Sequence, residues 1–456
     1  MESLYNENSI IGSLFKIFNK IFLQATKPTR NLLAIFLIGL LANEHFLSVR
    51  NLHHTTLSQI CNKSLNSYYH ALSTEKITNA SIRQAVTKIA LSIIPESLAN
   101  EPIFLAVDDT TISKFGKHFG DVSLIYDHSI HEANKRMVNG HCFVSLTISI
   151  PVYVFQDGYQ ERIRYIPISL GYVIWNKSRS KLELACDLLD EVMPILEQKQ
   201  VILTFDSWYA KCRLIEHALK YQNLDIICNA RCDTALYEAP VKRTGRRGRP
   251  PKYGAKLTID DVKDFHDYGK LGKYQISHKM VKTRIFGDRI VHAYVSQNTQ
   301  SKNNSKRLFF STFSMPEMHM STAWQENDAL RYSPSAQGWL YPLKLYKLRW
   351  HIETNYYEQK TFWSLKKYMV RTHTGIERML NLINAAHSMS KILPYLDNKF
   401  ADGKNISSQE FRHQISRMIQ REIFFDSLAR QAQTTKKSDS FINSLRSLIR
   451  RMSMSA

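Results

Sequence analysis

The chain is poor in acidic residues. Its 456 residues include 61 Lys and Arg but only 40 Asp and Glu, so the formal net charge at pH 7 is +21. A balance this basic favours a polyanionic partner, nucleic acid first and an anionic membrane surface second. The hydrophobic content of 44% is ordinary for a globular protein, and the length predicts a sizeable core and more than one domain.

Long hydrophobic runs and paired cysteine motifs are also missing. The longest apolar run, at 32–42, is too short to span a bilayer and too far from the N-terminus for a signal peptide, so it predicts a buried helix and no membrane partner. The six cysteines lack CxxC spacing and are too few for a disulfide scaffold in a chain of this length. These absences predict a reduced, cytoplasmic protein.

One stretch, YKLRWHIETNYYEQK at 346–360, contains neither Gly nor Pro. Apolar residues in and beside it recur at three- and four-residue steps, the period of one buried helix face. At about 100° per residue, a stripe roughly 60° wide beside that face holds Tyr346, Arg349, Glu353 and Lys360. A carboxylate flanked by cations suits a place where metal ions and phosphates meet, although alone the pattern is more often a solvated charged face.

The spacing Tyr-x2-Arg-x3-Glu-x6-Lys resembles the signature of a large group of bacterial insertion-sequence transposases, the Tyr-Arg-Glu-Lys (YREK) group, and all four residues are present. The catalytic core of that group is an RNase H-like fold that carries an Asp-Asp-Glu (DDE) triad. The resemblance covers roughly residues 100–390. It implies two aspartates on strands upstream of Glu353.

The middle of the chain has the element order of an RNase H-like core. The patterns indicate three strands, a helix, a strand, a helix and a strand, at 103–107, 141–154, 165–175, 180–198, 201–205, 210–221 and 224–229. In that topology the first and fourth strands are neighbours. Carboxylates at their ends are therefore expected to meet at one edge of the sheet.

The triad that the resemblance implies is Asp109, Asp206 and Glu353, each both catalytic and metal-binding. The first position is open, because neighbours on a strand point to opposite faces. The group's first Asp is often followed by Thr or a similar small residue, which favours Asp109 in the sequence DDTT, with Asp108 as the alternative. Asp206 alone is equally typical of a helix N-cap. Oxygen-only ligands suit two Mg²⁺ ions about 4 Å apart, with Mn²⁺ as a substitute.

DNA contacts are expected at two places. In the signature, Tyr346, Arg349 and Lys360 are interpreted as contacts to phosphates around the cleaved end. The segment at 241–252 contains no acid and resembles an AT-hook, whose core lies in the minor groove of A·T tracts, although a basic loop that follows phosphates is the more frequent interpretation. Its candidate residues are Arg246, Arg247, Arg249 and Lys252.

The predicted fold class is α/β, an RNase H-like mixed-sheet core interrupted by an inserted β-rich subdomain and flanked by helical regions. Its parts are a helical DNA-end-binding domain at 1–100, the first part of the catalytic core at 101–232, the inserted basic subdomain at 233–335, the last part of the core with the Glu-bearing helix at 336–390, and a helical C-terminal region with a mobile tail at 391–456. Two short helices at 56–61 and 65–72 are consistent with a helix-turn-helix, and equally with a plain helical bundle.

The resemblance implies a cut-and-paste DNA transposase. Such a protein binds double-stranded DNA at the terminal inverted repeats, nicks it to leave a 3′-hydroxyl, and joins that hydroxyl to target DNA. A homodimer on DNA is expected by analogy, because each end needs an active site. The alternatives are a DNA-binding repressor or inactive relic, which three retained carboxylates argue against, and a metal-dependent nuclease without strand transfer.

Overall fold

The computed structural model of the chain describes residues 6, 8–45, 48–116, 118–126, 136–156, 160–240, 251–260, 265–300, 305–313 and 341–434. Helices and a mixed β-sheet alternate through these ranges, which confirms the predicted α/β class. No helix in these ranges is long and apolar enough to cross a membrane.

The N-terminal region is helical, as predicted. Its α-helices are α1 (Ile10–Asn19), α2 (Lys27–Ala42), α3 (Val49–Leu52), α4 (Ser58–Ile60), α5 (Leu65–Ser73) and α6 (Asn79–Leu91). Shorter helical turns lie at Lys20–Phe22, His53–Leu57 and Glu96–Leu98. All residues from 33 to 42 are buried, which confirms the buried helix expected from the longest apolar run. The helical elements expected on either side of the turn at 62–64 are also present.

The described strands form one sheet in the order β2-β3-β1-β5-β6-β12-β11-β10-β7-β8, with β4 paired to β3 and β9 to β10. The strands are β1 (Ile103–Ser113), β2 (Ser123–Tyr126), β3 (Met137–Gln156), β4 (Gln160–Trp175), β5 (Val201–Phe205), β6 (Leu224–Ala230), β7 (Leu236–Tyr237), β8 (Lys256–Leu257), β9 (His266–Leu271), β10 (Tyr274–Thr283), β11 (Ile290–Asn298) and β12 (Lys306–Ser311). The inserted region is therefore β-rich in its described part, and it continues the core sheet through the antiparallel pair of β12 with β6.

The pair of β1 and β5 determines where the carboxylates lie. The two strands are parallel, and Ala106 pairs with Thr204. Two residues further along, Asp108 and Asp206 reach the same level at one edge of the sheet. The expectation that the first and fourth predicted strands are neighbours is confirmed.

The remaining helices follow the sheet strands or cover them. They are α7 (Lys181–Val192), α8 (Cys212–Ala218), α9 (Tyr341–Leu345), α10 (Trp350–Thr361), α11 (His373–Leu396) and α12 (Ser408–Thr434). Shorter helical turns lie at Met193–Leu196, Arg284–Phe286, Tyr346–Arg349, Leu365–Lys367 and Asn398–Asn405. The single helix expected at 346–360 is thus a 3₁₀ turn followed by α10.

Polar residues attach the buried helix α11 to β4. Gly171 lies at a bulge of β4 with φ +129°, and a Cβ there would clash with the Asn381 side chain. The Asn381 amide donates to the Tyr172 carbonyl at 2.9 Å and accepts from the Tyr172 N–H at 3.1 Å. Asn384 and Ser388 donate to the Ser169 carbonyl. These bonds satisfy backbone groups on the side of β4 that is not paired to β3.

Candidate active site

A cleft of about 1170 Å³ opens where β5 ends, beside the middle of β1; we call it the carboxylate cleft. The first strand does not end at residue 107 as predicted but continues to Ser113. The carboxylates that line it are Asp108, Asp109, Asp206 and Glu353. They come from β1, from the turn after β5 and from α10. The three elements predicted to supply the triad therefore meet at one place.

Asp108 lies deepest among charges of its own sign. Its side chain is 15% exposed, and Arg349 Nη1 lies 3.3 Å from its Oδ2. Burial raises its pKa well above the ordinary value, and the charges of Asp206 and Glu353 raise it further. Asp108 thus lies in a buried site with two other carboxylates, and the one guanidinium of Arg349 does not balance their negative charge.

Asp109 points to the other side of the strand and has partners for both oxygens. Lys181 Nζ lies 2.7 Å from Oδ2, and the Cys142 thiol donates to the same oxygen at 3.2 Å. The Tyr209 hydroxyl donates to Oδ1 at 3.1 Å. The geometry therefore groups Asp108, rather than Asp109, with Asp206 and Glu353, whereas the resemblance favours Asp109.

Asp206 holds the turn that follows β5. Its Oδ1 accepts hydrogen bonds from the backbone N–H groups of Trp208 and Tyr209, at 2.9 and 3.2 Å. Helix α8 begins only at Cys212, so Asp206 caps this turn and not the helix. Among the described residues no donor reaches its Oδ2, which leaves that oxygen available to a ligand.

Arg349 contacts two of the carboxylates of the cleft and lies between them. Its Nη1 is 3.3 Å from Asp108 and 3.4 Å from Glu353 Oε1. Lys360 lines the same cleft. Tyr346 does not: its hydroxyl donates at 3.2 Å to the carbonyl of Phe205, the last residue of β5. The structure therefore brings together three of the four signature residues and places the fourth against the backbone just before Asp206.

Of the AT-hook-like segment at 241–252, the structure describes only the last two residues. Arg246, Arg247 and Arg249 lie outside the described residues. Lys252 forms an ion pair with Asp288, at 3.3 Å, and is not among the residues that line the cleft.

Sequence reasoning missed several residues of the cleft. Lys181 pairs with Asp109 and also lies 5.2 and 5.1 Å from the ring centroids of Trp175 and Trp208. Trp208 and Tyr209 lie two and three residues after Asp206, so their position near a candidate ligand is the one signal that pointed to them. Lys181 begins α7 and carries no local motif.

The donor set fits divalent metal ions. Three carboxylates offer oxygen ligands only, which suit Mg²⁺ or Mn²⁺, and the raised pKa of Asp108 marks a deficit of positive charge that a cation would supply. In the described part of the chain, no group of three or more His, Cys, Asp and Glu side chains is arranged to hold an ion as it stands. The guanidinium of Arg349 lies between two of the carboxylates instead.

Comparison with known families agrees with this chemistry. The family model described as DDE superfamily endonuclease matches residues 14–155 and 175–285, more than half of the chain. The match includes Asp108, Asp109 and Asp206 and ends before Glu353. No curated protein matches the chain. The family match indicates an enzyme that acts on DNA, generally with divalent metal ions, and by its extent the chain belongs to the DDE superfamily endonuclease family.

Proposed function

We propose that the protein is a DNA transposase of the Tyr-Arg-Glu-Lys group, which cleaves DNA at the ends of its element and joins the 3′-hydroxyl to target DNA. The observation that carries this proposal is the convergence of Asp108, Asp206 and Glu353 beside Arg349 and Lys360. The family match and the net charge of +21 support DNA as the substrate.

In this proposal Asp108, Asp206 and Glu353 hold the divalent ions. When bound, such ions activate the attacking oxygen and offset the charge on the phosphate and the leaving group. Asp206 already uses one oxygen to hold its turn, so the other faces the ligand. Asp109 is a positioning residue, because its bonds to Lys181 and Tyr209 hold the middle of β1 against α7 and the turn after β5.

Two cations of α10 and the turn before it serve the phosphate. Arg349, which now contacts Asp108 and Glu353, would bind a phosphate in bidentate fashion if those carboxylates held the ions. Lys360 adds a point charge on the same wall. Tyr346 supports the site indirectly through the Phe205 carbonyl.

The spacing of the four signature residues supports a transposase over a simple nuclease. A transposase must handle two DNA ends, so a homodimer on the terminal inverted repeats is part of the proposal. The N-terminal helices, including α5 with its exposed Asn66 and Tyr69, are the proposed end-binding region.

The test is cleavage of a supercoiled plasmid that carries the element's own ends, with Mg²⁺ present or chelated. We expect cuts at the element boundaries with the wild type, and none with Asp108→Asn, Asp206→Asn or chelator. Asp402→Asn, a matched change of an exposed aspartate, should cut normally. Binding without cleavage in any divalent metal would favour the repressor or relic.

A second assay separates transposition from hydrolysis alone. A precut end with a free 3′-hydroxyl is incubated with the protein, Mg²⁺ and target plasmid. Joined products support strand transfer, whereas boundary cleavage without joining would leave a metal-dependent nuclease.

A further inference from the structure

Helix α10 presents side chains to two cavities on opposite faces. Glu353 and Lys360 line the carboxylate cleft, whereas His351, Thr354 and Glu358 line a second cavity of about 730 Å³, which we call the rear cavity. At about 100° per residue, the two sets point to opposite sides of the helix. Nothing in the proposed chemistry uses the rear cavity.

The rear cavity is lined by more positive than negative charge. Arg164 on β4, Lys391 on α11 and Lys404 before α12 are its Lys and Arg residues, and Glu358 is its one carboxylate among the described residues. Glu358 Oε2 is already engaged, 2.7 Å from both His387 Nε2 and Lys391 Nζ. The charges of Arg164 and Lys404 therefore have no carboxylate partner in the cavity wall.

The effect of this imbalance is visible on neighbouring groups. Burial first, and then the charges of Lys391 and Arg164, lower the pKa of His351 to about 4. Arg164 is exposed, and its guanidinium has neither a hydrogen bond nor an ion pair within the described part of the chain. The ammonium of Lys404 lies 5.5 Å from the ring centroid of Tyr395, a cation–π contact that offsets its charge only in part.

The first turn of α12 contributes N–H groups to the rear cavity, and it also carries the Glu410 carboxylate, which is not among the residues that line the cavity. This helix runs from Ser408 to Thr434, and Ser407 and Ser408 line the rear cavity. Its N-terminal N–H groups carry partial positive charge, which favours anions. One of them, that of Glu410, donates to the Ser407 hydroxyl.

An exposed ridge separates the two cavities. It consists of Trp350, Thr354 and Tyr357, three of the four solvent-exposed residues of α10. An α-helix with its side chains is about 10 to 12 Å wide, so a DNA strand that crosses the ridge passes from one cavity to the other within a few phosphates.

We propose that the rear cavity binds a phosphate of the DNA strand that enters the carboxylate cleft. Arg164 contacts the phosphate in bidentate fashion, Lys404 adds a point charge, and the buried Lys391 stays paired with Glu358. This inference deepens the proposed function and rests on it for the identity of the ligand as DNA; a small phosphorylated compound shares the chemistry and is distinguished below.

The test measures duplex binding without metal, so that it does not depend on cleavage. A labelled duplex of arbitrary sequence is titrated by fluorescence anisotropy in chelator at several salt concentrations. For Arg164→Gln/Lys404→Gln we expect about ten-fold weaker binding and a salt dependence whose log–log slope falls by about 0.9 for each phosphate that is no longer neutralised. Arg164→Lys/Lys404→Arg keeps both charges and should recover most of the binding.

The matched control is Lys270→Gln/Arg284→Gln, which removes the same charge from exposed positions of the inserted region. Binding of the Arg164/Lys404 variant at the level of this control would overturn the inference. A second result would also overturn it: calorimetry shows that pyrophosphate binds the wild type but not the Arg164/Lys404 variant, while the variant binds the duplex as the control does. The ligand of the rear cavity would then be a small phosphorylated compound and not DNA. A wild type that binds DNA through the rear cavity but cleaves nothing would contradict the proposed function and support this inference.

Discussion

The two faces of α10 hold carboxylates in opposite circumstances. On the rear face, burial alone would raise the pKa of Glu358, but the hydrogen bond from His387 and the charge of Lys391 lower it. On the front face, Glu353 has a 3.4 Å contact to Arg349, and the neighbouring Asp108 has a raised pKa. A carboxylate with all its partners stabilises the fold, whereas a group of carboxylates short of positive charge is built for a ligand.

The rear face is a continuous hydrogen-bonded network. The Tyr172 hydroxyl donates to Gln359 Oε1 at 3.0 Å, and Gln359 Nε2 lies 3.0 Å from His387 Nδ1. Because the amide nitrogen can only donate, His387 carries its proton on Nε2 and donates it to Glu358. This network attaches α10 to β4 and α11.

The largest effect is expected on the front face. Glu353→Gln keeps the shape of the side chain but removes a metal-binding charge, so we expect cleavage to fall by about 1000-fold or more. DNA binding in chelator and the free energy of unfolding should change little, because Glu353 is 41% exposed. Plasmid cleavage, anisotropy and urea unfolding check the three expectations. Cleavage at the wild-type rate would remove Glu353 from the site.

The same substitution on the rear face should have the reverse result. Glu358→Gln leaves the buried Lys391 without its counter-charge, and we expect the free energy of unfolding to fall by about 3 to 4 kcal/mol. Cleavage per folded molecule should stay near the wild-type rate. Urea unfolding measures the loss, and the double variant Glu358→Gln/Lys391→Met should recover part of it. If Glu358→Gln lost cleavage but kept its stability, Glu358 would belong to the active site, and the distinction between the two faces would be wrong.

Acid should weaken the rear network through His387. Burial is the main cause that lowers the pKa of His387 from 6.5 to about 4. The folded protein therefore binds fewer protons than the unfolded chain between these values, and stability falls as pH drops from about 6.5 to 4. The loss attributable to His387 is close to 3 kcal/mol. Asp108 acts in the opposite direction, because its pKa is raised.

The measurement is urea unfolding between pH 4 and 7 of the wild type and His387→Gln. The comparison removes the contribution of Asp108, which both proteins share. The variant should lose less stability on acidification than the wild type, and His54→Gln, a change of an exposed histidine, should not differ from the wild type. Equal acid slopes for wild type and His387→Gln would rule out His387 as the titrating group.

Local patterns predicted the contents of the front face better than its arrangement. The helical period correctly put Arg349 and Glu353 within reach of each other. It also put Tyr346 beside Arg349, whose guanidinium carbon lies 5.9 Å from the Tyr346 ring centroid. It could not show that the Tyr346 hydroxyl donates to the Phe205 carbonyl, because that contact depends on the position of β5.

No sequence pattern predicted the cluster of charged residues on the rear face of α10. Arg164, Lys391 and Lys404 come from three elements that are distant along the chain, so no spacing connects them. The choice between Asp108 and Asp109 has the same origin. Alternation along β1 shows that the two diverge, but the register with β5 decides which of them meets Asp206.

That choice gives the smallest expected effect. Asp109→Asn keeps an oxygen that can accept from the Tyr209 hydroxyl but loses the ion pair with Lys181. A pair of this kind contributes about 1 kcal/mol, so we expect cleavage to fall by less than about ten-fold. Lys181→Met should produce a similar loss, because it breaks the same pair from the other side. A metal ligand would behave differently, since Asp109→Asn would then abolish cleavage while Lys181→Met left most of it. Plasmid cleavage by these two variants and by Asp108→Asn therefore decides which residue is the first carboxylate of the site. The register with β5 favours Asp108, and the Asp-Thr-Thr resemblance favours Asp109.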